Sequence, residues 1–482
     1  MFAEELPSEA DIVIIGCGVI GCAIARELSR YKLNVVAIDK EPDVGWGVTK
    51  GSMGWIHPFV PQFKGIKSKL VLEGNERYDK LSDELDVPFR RYGLLIVALS
   101  FIQFLALIIA YLYLKFRKIK IRWIGKKRLR EIEPFISSKA KAAIFVPSAG
   151  VTDPVKLAIA YAENAVENGV KIVLNTKVTG LRIENNEIRG VITNKGEIKT
   201  RWVINSAGVF SDEIEKIAGI TKRKMWHGKG VMVIFDPVLG DMYHHLIAPM
   251  PIRLDPRTKG GAIGLTVDGL PIWGPNLVEA DGKSDVSVSK DDIDMIIDKF
   301  KPLLRFFPKN LILKYYAGVR PVDETSWDFV LGPTEIKGFI NASYILSPGL
   351  TAAPVIAERI IEILQSEGLK LELKKRYSPF RRDIKSIRDM NIEEIDKLIQ
   401  QNNDYGEIIC LCNNVTKAEI IEAIRRGART IDSIKFRTGA CMGRCQGSRC
   451  LPKIIDILVK ETGMNLNEIT LKGAGSEIFL GD

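Results

Sequence analysis

The first strong hydrophobic pattern in the chain is the apolar run DIVIIGCGVIG at residues 11 to 21. An apolar run that ends in the glycine spacing G-x-G-x-x-G is typical of a buried strand that leads into a tight turn. The next stretch, CAIARELSRY, keeps the apolar spacing of a helix, and NVVAID then has the composition of a second strand. We therefore predict a βαβ unit over residues 11 to 39.

This predicted unit carries the residues that a bound dinucleotide requires. Gly16 allows the tight turn, Gly18 lets the backbone approach a pyrophosphate, and Gly21 lets the helix pack against the strand. Asp39 lies 18 residues past Gly21, where an acidic residue can bind a ribose. The order of these features favours a dinucleotide site over the alternative, a purely structural βαβ turn.

Helical and strand patterns recur further along the chain. A helical stretch at 155 to 168 precedes the strand-like KIVLNTKV, which predicts a second helix–strand crossover in a mixed α/β fold. SPGLTAAP at 347 to 354 predicts the start of a long helix with Pro354 in its first turn. TKAEIIEAIRRG predicts a helix from a threonine cap at 416 to a glycine end at 427. Residues 376–406 are charged and polar, which predicts a linker between units 1–375 and 407–482.

One segment is too apolar for the surface of an ordinary soluble enzyme. FIQFLALIIAYLYL, residues 101 to 114, contains Gln103 as its only strongly polar residue, and five basic residues follow between 115 and 122. Its fourteen residues are fewer than the ~20 that span a bilayer, and the preceding GLLIVAL predicts a strand. We predict a helix on a membrane surface, with a dimer or partner-protein face as the alternative. The contact face is expected to include the following residues: Phe104, Leu107, Ile108 and Leu112.

Composition narrows the class of protein. The 482 residues are too many for one compact core, and 46 % hydrophobic with 27 % charged residues indicates a globular chain. The net charge of +10 favours anionic substrates or an anionic surface, and no recognised nucleic-acid-binding motif accompanies it, so we expect no nucleic-acid partner. The start of the chain does not resemble a secretory signal, so we expect a cytoplasmic protein.

Four cysteines near the end of the chain predict a metal site. Cys410, Cys412, Cys445 and Cys450 have the spacing C-x-C, thirty-two residues, C-x4-C, in a chain with seven cysteines. Zinc sites usually pair cysteines as C-x2-4-C, which this spacing fits poorly, so we favour a [2Fe-2S] cluster over zinc or no metal. The segment resembles the bacterioferritin-associated-ferredoxin-like module in its longer C-x4-C form. That resemblance places a glycine at Cys441, so we interpret Cys441 as a non-ligand, with a swap for Cys445 as the alternative.

The remaining glycine-centred segments resemble the FAD-dependent D-amino-acid-oxidase superfamily. Within it, the resemblance is nearest to the large-subunit type of glycerol-3-phosphate dehydrogenase and its hydroxyglutarate-oxidising relatives. It rests on these segments: GCGVIG, GSMGWIHP, VPSAGVTDP, VINSAGVFSD, YAGVRPV and SPGLTAAP. The resemblance implies an α/β fold: a Rossmann-like FAD-binding domain with an interleaved α+β substrate domain, plus a small helical C-terminal iron–sulfur domain. It implies two cofactors, FAD and a [2Fe-2S] cluster.

The resemblance also implies roles for individual residues. Arg320 would hold the hydroxyl or the anionic group of the substrate, and His57 would accept the hydroxyl proton. Lys229 and Lys259 are interpreted as surface lysines, with contact to a phosphate as the alternative. The implied FAD contacts, beyond the βαβ residues Gly16, Gly18, Gly21 and Asp39, are Thr49, Ser52, Val178, Ala207, Gly208, Gly318, Gly349, Leu350 and Thr351.

The expected activity is the oxidation of glycerol 3-phosphate to dihydroxyacetone phosphate. Hydride would pass to FAD, and electrons would leave through the cluster to a quinone or an electron-transfer protein. SPGLTAAP lacks the lysine that better-studied glycerol-3-phosphate dehydrogenases carry in this turn, so a 2-hydroxy acid or a secondary amino acid is an alternative substrate. An electron-transfer subunit of a larger complex is another alternative. We expect the protein at the cytoplasmic face of the membrane, attached through 101–114, with a homodimer possible.

Overall fold

The computed structural model describes residues 1–252, 260–307 and 309–479. The β-strands are β1 (Ile12–Ile15), β2 (Val35–Ile38), β3 (Trp55–Ile56), β4 (Phe89–Arg90), β5 (Leu94–Ala98), β6 (Arg122–Gly125), β7 (Ala142–Val146), β8 (Gly150–Thr152), β9 (Lys171–Val173), β10 (Val178–Glu184), β11 (Glu187–Thr193), β12 (Gly196–Lys199), β13 (Trp202–Asn205), β14 (Met225–Phe235), β15 (Leu246–Pro249), β16 (Ala262–Leu265), β17 (Pro271–Gly274), β18 (Val278–Glu279), β19 (Ile312–Asp323), β20 (Val330–Pro333), β21 (Phe339–Ser343), β22 (Ile408–Cys410) and β23 (Val415–Thr416).

The α-helices are α1 (Val19–Leu28), α2 (Gly65–Asn75), α3 (Tyr78–Leu85), α4 (Phe101–Phe116), α5 (Lys126–Ile132), α6 (Pro154–Glu167), α7 (Ser211–Ile217), α8 (Lys290–Phe300), α9 (Gly349–Ser366), α10 (Ile392–Gln401), α11 (Lys417–Arg425), α12 (Ile431–Thr438) and α13 (Leu451–Thr462). Among them are the predicted helices after the first glycine turn, after Asp153 and after Thr416.

A six-stranded sheet forms the centre of the first domain, in the order β20-β21-β13-β1-β2-β9. Strands β21, β13, β1, β2 and β9 are parallel, and β20 is antiparallel. Successive side chains of β1 point to opposite faces: Ile12 and Ile14 pack with α1, α6 and α9, whereas Val13 and Ile15 pack with the sheet β10-β11-β12 and α7. This three-layer arrangement is the predicted α/β nucleotide-binding domain.

A nine-stranded sheet forms the substrate domain. Its strands run in the order β18-β14-β17-β16-β15-β5-β7-β6, and β19 pairs with β14 over almost its whole length. The predicted strand in GLLIVAL is β5. The β14–β19 register places Gly230 opposite Gly318 and Gly228 opposite Arg320, so both β19 residues pair with glycines of β14.

Helices α11, α12 and α13 surround a separate core in the C-terminal domain. A buried ion pair joins this domain to the first one: Arg437 Nη2 donates to Asp43 Oδ1 at 2.9 Å, and both side chains are at most 1 % exposed. Segment 376–406 also packs on the first domain, because Arg381 forms a buried ion pair with Glu163.

Two predictions about helices are wrong in detail. Helix α9 begins at Gly349, so Pro354 lies inside the helix rather than in its first turn. The proline removes the N–H that would bond to the Leu350 carbonyl, and the Tyr78 hydroxyl donates to that carbonyl instead. In α4, Leu107 is fully buried and Phe104 packs against Trp123, so neither lies on an outward contact face.

The outward face of α4 is strongly apolar. Its most exposed side chains are Phe101, Ile102, Leu105, Ile109, Leu112 and Phe116, each between 47 and 81 % exposed, and Ile108 and Tyr113 are exposed to a smaller extent. The helix has a capping box at Ser100 and Gln103, which fixes its start. Within the described ranges, no helix is long and apolar enough to cross a membrane.

Candidate active site and iron–sulfur centre

A cavity of about 1070 Å³ lies between the first domain and the substrate domain. On one side it is lined by residues at the carboxyl ends of β1, β2, β13 and β21, where open α/β sheets bind ligands. On the other side it is lined by Gly318 and Arg320 of β19 and by residues after β15. The cavity therefore joins the predicted nucleotide-binding residues to the predicted substrate residues.

The glycine turn has the close packing that the motif predicts. Gly16 has a φ of +100°, and a Cβ there would lie 2.5 Å from the Ser206 carbonyl oxygen. A Cβ on Gly21 would lie 1.9 Å from the Gly16 carbonyl oxygen, so α1 packs directly on the turn. Gly18 lies at the N-terminus of α1 and lines the cavity, where the helix dipole favours an anion.

Asp39 lines the same cavity at the end of β2. Its Oδ2 accepts a hydrogen bond from the Cys17 N–H at 2.6 Å, and its Oδ1 accepts one from the Glu41 N–H at 3.0 Å. Burial raises the pKa of Asp39 to about 6, although these two hydrogen bonds oppose the shift. A carboxyl group held in this way can accept hydrogen bonds from a ribose.

Most other predicted cofactor contacts also line the cavity. These residues are Thr49, Ser52, Val178, Ala207, Gly208, Gly318, Gly349 and Leu350. Thr49 Oγ1 accepts a hydrogen bond from the Val19 N–H at 3.0 Å, which ties the loop after β2 to the start of α1. Gly21 and Thr351 are not part of the lining: Gly21 packs within the turn, and Thr351 is fully buried.

Arg320 is the buried cation of the cavity. Its side chain lines the cavity, and the residue is only 8 % exposed. Burial lowers its pKa to about 10, because a buried charge loses its hydration. Among the described residues, Arg320 Nη1 has no hydrogen-bond partner. A Cβ on Gly230 would lie 2.2 Å from Arg320 Nη2, so the neighbouring strand needs a glycine to admit the guanidinium.

His57 lies directly after β3 and also lines the cavity. Its backbone N–H donates to Thr351 Oγ1 at 2.9 Å, and its carbonyl accepts from Asn75 Nδ2 at 3.0 Å. Its Nδ1 is 3.4 Å from the Trp55 carbonyl oxygen. These contacts hold the backbone of His57 at the wall of the cavity that also carries Arg320.

Lys67 is a cavity residue that the sequence did not single out. Its Nζ donates to the Trp327 carbonyl at 2.5 Å, and burial lowers the pKa of Lys67. The Asp328 carboxylate accepts hydrogen bonds from the Ile66 and Lys67 N–H groups at 2.8 Å, which fixes the start of α2. The acceptor lies 261 residues away from Lys67 in the chain, so no local motif could have indicated this contact.

Lys229 is not a surface lysine: it is 8 % exposed, and its Nζ is 2.8 Å from Asp285 Oδ2. Lys229 lowers the pKa of Asp285 strongly through this contact. Its charge is thus already neutralised within the protein. Lys259, the other lysine considered for a phosphate contact, lies outside the described residues.

The cysteines of the C-terminal domain come together in pairs. Cys412 Sγ lies 3.6 Å from Cys445 Sγ, and Cys441 Sγ lies 3.5 Å from Cys450 Sγ. Cys410 is buried at the end of β22, next to Cys450. In the described ranges, no group of three or more histidine, cysteine or acidic side chains has the arrangement for one metal ion.

Comparison with known proteins decides the family. Residues 11–363 match the model of the FAD-dependent oxidoreductases, and residues 408–460 match the model of the BFD-like [2Fe-2S]-binding domain. The chain belongs to the FAD-dependent oxidoreductase family. It carries a C-terminal BFD-like domain, and the family predicted from the glycine-centred segments is confirmed.

Known proteins are similar to this oxidoreductase over most or all of the chain. A glycerol 3-phosphate dehydrogenase of Caloramator mitchellensis is 36 % identical over 478 residues, which cover 98 % of both chains. A glycerol 3-phosphate oxidase of Mycoplasma genitalium is 29 % identical over 77 % of this chain and 97 % of its own. The solved L-α-glycerophosphate oxidase of Mycoplasma pneumoniae has a TM-score of 0.71 and 24 % identity, and covers 78 % of this chain and 99 % of its own.

FAD is the cofactor of the first domain, and the cavity residues fit it. The glycine turn would hold the pyrophosphate, and Asp39 would hold a ribose. Bound FAD supplies a two-electron acceptor for hydride. The N-terminus of α9, where Gly349 and Leu350 line the cavity, favours negative charge nearby.

A [2Fe-2S] cluster is the cofactor of the C-terminal domain. Four cysteine thiolates bind such a cluster, and sulfur pairs at 3.5 and 3.6 Å fit that need. The Arg449 and Gly447 N–H groups lower the pKa of Cys445 to about 7, which favours the thiolate, whereas burial raises the pKa of Cys441 and Cys450. The predicted ligands remain a prediction: Cys410, Cys412, Cys445 and Cys450. Cys441 Sγ lies 3.5 Å from Cys450 Sγ, about as close as the predicted ligands Cys412 and Cys445 are to each other at 3.6 Å.

Proposed function

We propose that this oxidoreductase converts glycerol 3-phosphate to dihydroxyacetone phosphate. The hydride at C2 of the substrate is taken up at the FAD site, and electrons leave through the iron–sulfur cluster to a quinone or a partner protein. The names of two relatives that match most of this chain, a glycerol 3-phosphate dehydrogenase and a glycerol 3-phosphate oxidase, support this substrate.

The observation that carries the proposal is the buried Arg320. A buried guanidinium with an unpaired Nη1 among the described residues is costly unless an anion compensates it. Its planar fork can give two hydrogen bonds to a phosphate or a carboxylate. Because Gly318 is two residues away in the same strand and lines the cavity, a substrate bound to Arg320 lies beside the FAD site.

His57 is the proposed base. Loss of hydride from C2 makes the substrate hydroxyl acidic, and an imidazole can take its proton near neutral pH. The backbone contacts to Thr351 and Asn75 hold His57 in place. Arg320 stabilises the charge that develops on the substrate oxygen or on its neighbouring anionic group.

Oxidation of a 2-hydroxy acid, such as 2-hydroxyglutarate, is the second candidate. Lys229 is paired with Asp285, so it is not a free ligand for a phosphate. A carboxylate needs fewer cationic partners than a phosphate, and Arg320 alone could hold it. The two candidates differ in substrate and share the oxidation at the FAD site.

The apolar face of α4 supports attachment to the cytoplasmic face of a membrane. Eight large apolar side chains are exposed on this helix, and Lys115, Arg117 and Lys118 lie at its C-terminal end. Hydrophobic burial would supply most of the binding energy, and basic residues add about 1 kcal/mol each near anionic lipid. A homodimer through the same face is the competing arrangement.

Steady-state assays with an artificial dye acceptor test the proposed substrate. The purified holoprotein is assayed with glycerol 3-phosphate, 2-hydroxyglutarate and proline. We expect turnover with glycerol 3-phosphate at the highest kcat/KM. Higher kcat/KM with 2-hydroxyglutarate would establish the second candidate instead.

The variant Arg320→Lys tests the site itself. A lysine loses the two-pronged contact and gives up its charge more readily when buried, so we expect kcat/KM to fall about 10- to 100-fold while FAD stays bound. Arg128→Lys, on the exposed side of α5, is the matched control and should be unchanged. Wild-type kinetics for Arg320→Lys would remove Arg320 from the substrate site.

A further inference from the structure

The loop between β21 and α9 forms part of the wall of the cofactor cavity. Residues 344–348 all line the cavity, and Gly349 and Leu350 of α9 continue this wall. The loop turns at Tyr344, whose carbonyl accepts a hydrogen bond from the Leu346 N–H at 3.0 Å. The Leu346 carbonyl in turn accepts one from the Gly349 N–H at 2.8 Å. The position of the α9 N-terminus at the cavity therefore depends on the conformation of Tyr344.

The backbone of Tyr344 has a left-handed conformation, with a φ of +53°. A bulky side chain disfavours this region, so contacts with the surrounding structure have to hold the residue there. The side chain of Tyr344 is completely buried and belongs to an apolar cluster with Val209, Met225 and Val319. Its hydroxyl donates to Glu215 Oε2 at 2.9 Å. The cluster and this hydrogen bond together fix the ring, and the fixed ring holds the backbone in its strained conformation.

Glu215 lies on α7, is only 2 % exposed, and is connected to the ends of two strands of the central sheet. Its Oε1 accepts a hydrogen bond from Asn341 Nδ2 at 2.8 Å, and Asn341 Oδ1 accepts one from Asn205 Nδ2 at 3.2 Å. Asn205 ends β13 and Asn341 lies in β21, and the residues that follow both strands line the cavity. The Glu215 carboxylate thus joins the Tyr344 hydroxyl to the strand ends that form the cofactor site.

The contacts of Glu215 compensate for its burial. Burial raises the pKa of Glu215, although the hydrogen bonds from Tyr344 and Asn341 oppose the shift. A buried carboxylate is costly unless its oxygens accept hydrogen bonds. Loss of the Tyr344 hydroxyl would leave Glu215 Oε2 without its donor, so the carboxylate and the strained residue stabilise each other.

We infer that Glu215 and Tyr344 are positioning residues for FAD, which fix the loop 344–348 as the wall that FAD contacts. They act through the conformation of the loop, since the hydroxyl and the carboxylate bond to each other. The loop leads into the N-terminus of α9, whose dipole favours negative charge, and a flavin gains negative charge on reduction. A displaced loop therefore weakens FAD binding and makes the midpoint potential of the flavin more negative. The inference concerns FAD and does not depend on which substrate is oxidised.

A pair of substitutions at Tyr344 separates the backbone conformation from side-chain packing. Tyr344→Gly and Tyr344→Ala both delete the ring and its hydroxyl, but glycine adopts a positive φ without strain and alanine does not. The release of FAD from the diluted holoprotein is followed as a gain in flavin fluorescence. We expect release to be about 5- to 30-fold faster from Tyr344→Ala than from Tyr344→Gly, because the strain persists in alanine alone. Equal release rates would overturn the inference, since a role in packing alone does not depend on φ.

Conservative substitutions test the hydrogen bond in a protein that keeps its packed core. Tyr344→Phe removes only the hydroxyl, so we expect FAD release about tenfold faster and a more negative flavin midpoint potential, measured against a redox dye. Glu215→Ala should have the same two effects. Glu215→Gln keeps an oxygen for Asn341 and an amide that can donate to the Tyr344 hydroxyl, so it should stay within about threefold of the wild-type rate.

Tyr161→Phe is the matched control for the loss of a buried hydroxyl. Tyr161 is 1 % exposed on α6, is not part of the cavity lining, and its hydroxyl has no hydrogen-bond partner in the part of the chain that the structure describes. We expect wild-type FAD release and midpoint potential for this variant. Wild-type values for both Tyr344→Phe and Glu215→Ala, or an equal change in Tyr161→Phe, would contradict the inference.

Discussion

Asp39 lies where burial disfavours the charged form of its carboxyl group. Burial raises its pKa to about 6, so the carboxyl is ionised above that pH and becomes protonated below it. A ribose hydroxyl donates more strongly to the ionised form than to the neutral acid. We therefore expect the affinity of the apoprotein for FAD to fall as pH decreases through about 6, by at most about tenfold per pH unit.

Titration of the apoprotein with FAD between pH 5 and pH 8, followed by fluorescence, measures this effect. Asp39→Asn should bind FAD more weakly at pH 8 and lose the dependence near pH 6, because the variant has no proton to exchange there. The same slope in Asp39→Asn as in the wild type would assign the pH dependence to another group.

Cys441 is the fifth cysteine at the cluster site, and its role can be tested by iron content. The resemblance places a glycine here, so Cys441 is predicted not to be a ligand, whereas Cys450 is predicted to be one. We expect Cys441→Ala to keep wild-type iron and acid-labile sulfide, whereas Cys450→Ala loses both. Loss of iron from Cys441→Ala with retention in Cys445→Ala would show that the two cysteines exchange roles.

The sequence predicts site residues that lie in short motifs. It does not predict site residues whose contacts come from distant parts of the chain. Gly16, Asp39 and Arg320 lie in local patterns with a known chemical use, and all three line the cavity. Lys67 is held by Trp327 and Asp328, which come from a distant segment. No spacing rule links such residues, because only the fold brings the start of α2 next to the loop between β19 and β20.

Among the secondary-structure elements, α4 is one whose bounds the sequence predicts but whose inward-packing side it does not. The apolar run predicted a helix, and its bounds agree to within two residues. Of the predicted contact face, Ile108 and Leu112 are exposed, whereas Phe104 and Leu107 pack inward, because a run apolar on all sides does not show which side faces the core. Leu107 and Leu114 face the core, and the outward stripe includes Leu105 and Leu112.

The corrected face gives a sharper prediction for membrane attachment. We expect the variant with serine at Phe101, Leu105, Leu112 and Phe116 to stop sedimenting with anionic liposomes, because each buried large side chain contributes roughly 1.5 to 3 kcal/mol. Met295→Ser is the control, since Met295 is 48 % exposed on α8. If the wild type does not sediment and the serine variant instead converts a dimer to a monomer, α4 is a subunit interface.

Helix α9 shows how a distant residue compensates for a local defect. Pro354 inside the helix leaves the Leu350 carbonyl without its usual N–H, and the Tyr78 hydroxyl replaces that donor. Because proline is common in the first turn of a helix, the sequence pattern predicted that α9 begins closer to Pro354 than it does. The compensating hydroxyl lies on α3 and is visible only in the fold.

For the whole molecule, the Arg437–Asp43 pair fixes the cluster domain against the FAD domain. Asp43 and Thr49 both lie in the loop between β2 and β3, so this loop contacts both the FAD site and the C-terminal domain. Asp43→Asn leaves Arg437 buried without its counter-charge, and we expect a loss of about 3 to 5 kcal/mol in the free energy of unfolding.

Denaturant unfolding of the holoprotein measures this loss, with Arg444→Gln as the control. Arg444 pairs with Asp236 at the surface, where its side chain is 64 % exposed, and such pairs contribute about 1 kcal/mol or less. Equal effects of the two variants would mean that the buried pair does not hold the domains together.

The fold class was predictable from local patterns, and the arrangement of the domains was not. β1 and β13 are neighbours in the central sheet although nearly 190 residues separate them. The βαβ pattern predicts a parallel sheet, but the position of β13 depends on non-local pairing. The buried contacts between the C-terminal domain and the FAD domain likewise come from residues with no shared motif.

Anaerobic titration of the purified holoprotein with glycerol 3-phosphate tests the central claim most directly. Flavin absorbance reports reduction at the FAD site, and the electron paramagnetic resonance signal reports reduction of the cluster. The account predicts that glycerol 3-phosphate bleaches the flavin and that the signal of the reduced cluster then appears in the same chain. An unchanged flavin spectrum in a protein that dithionite reduces fully would contradict it.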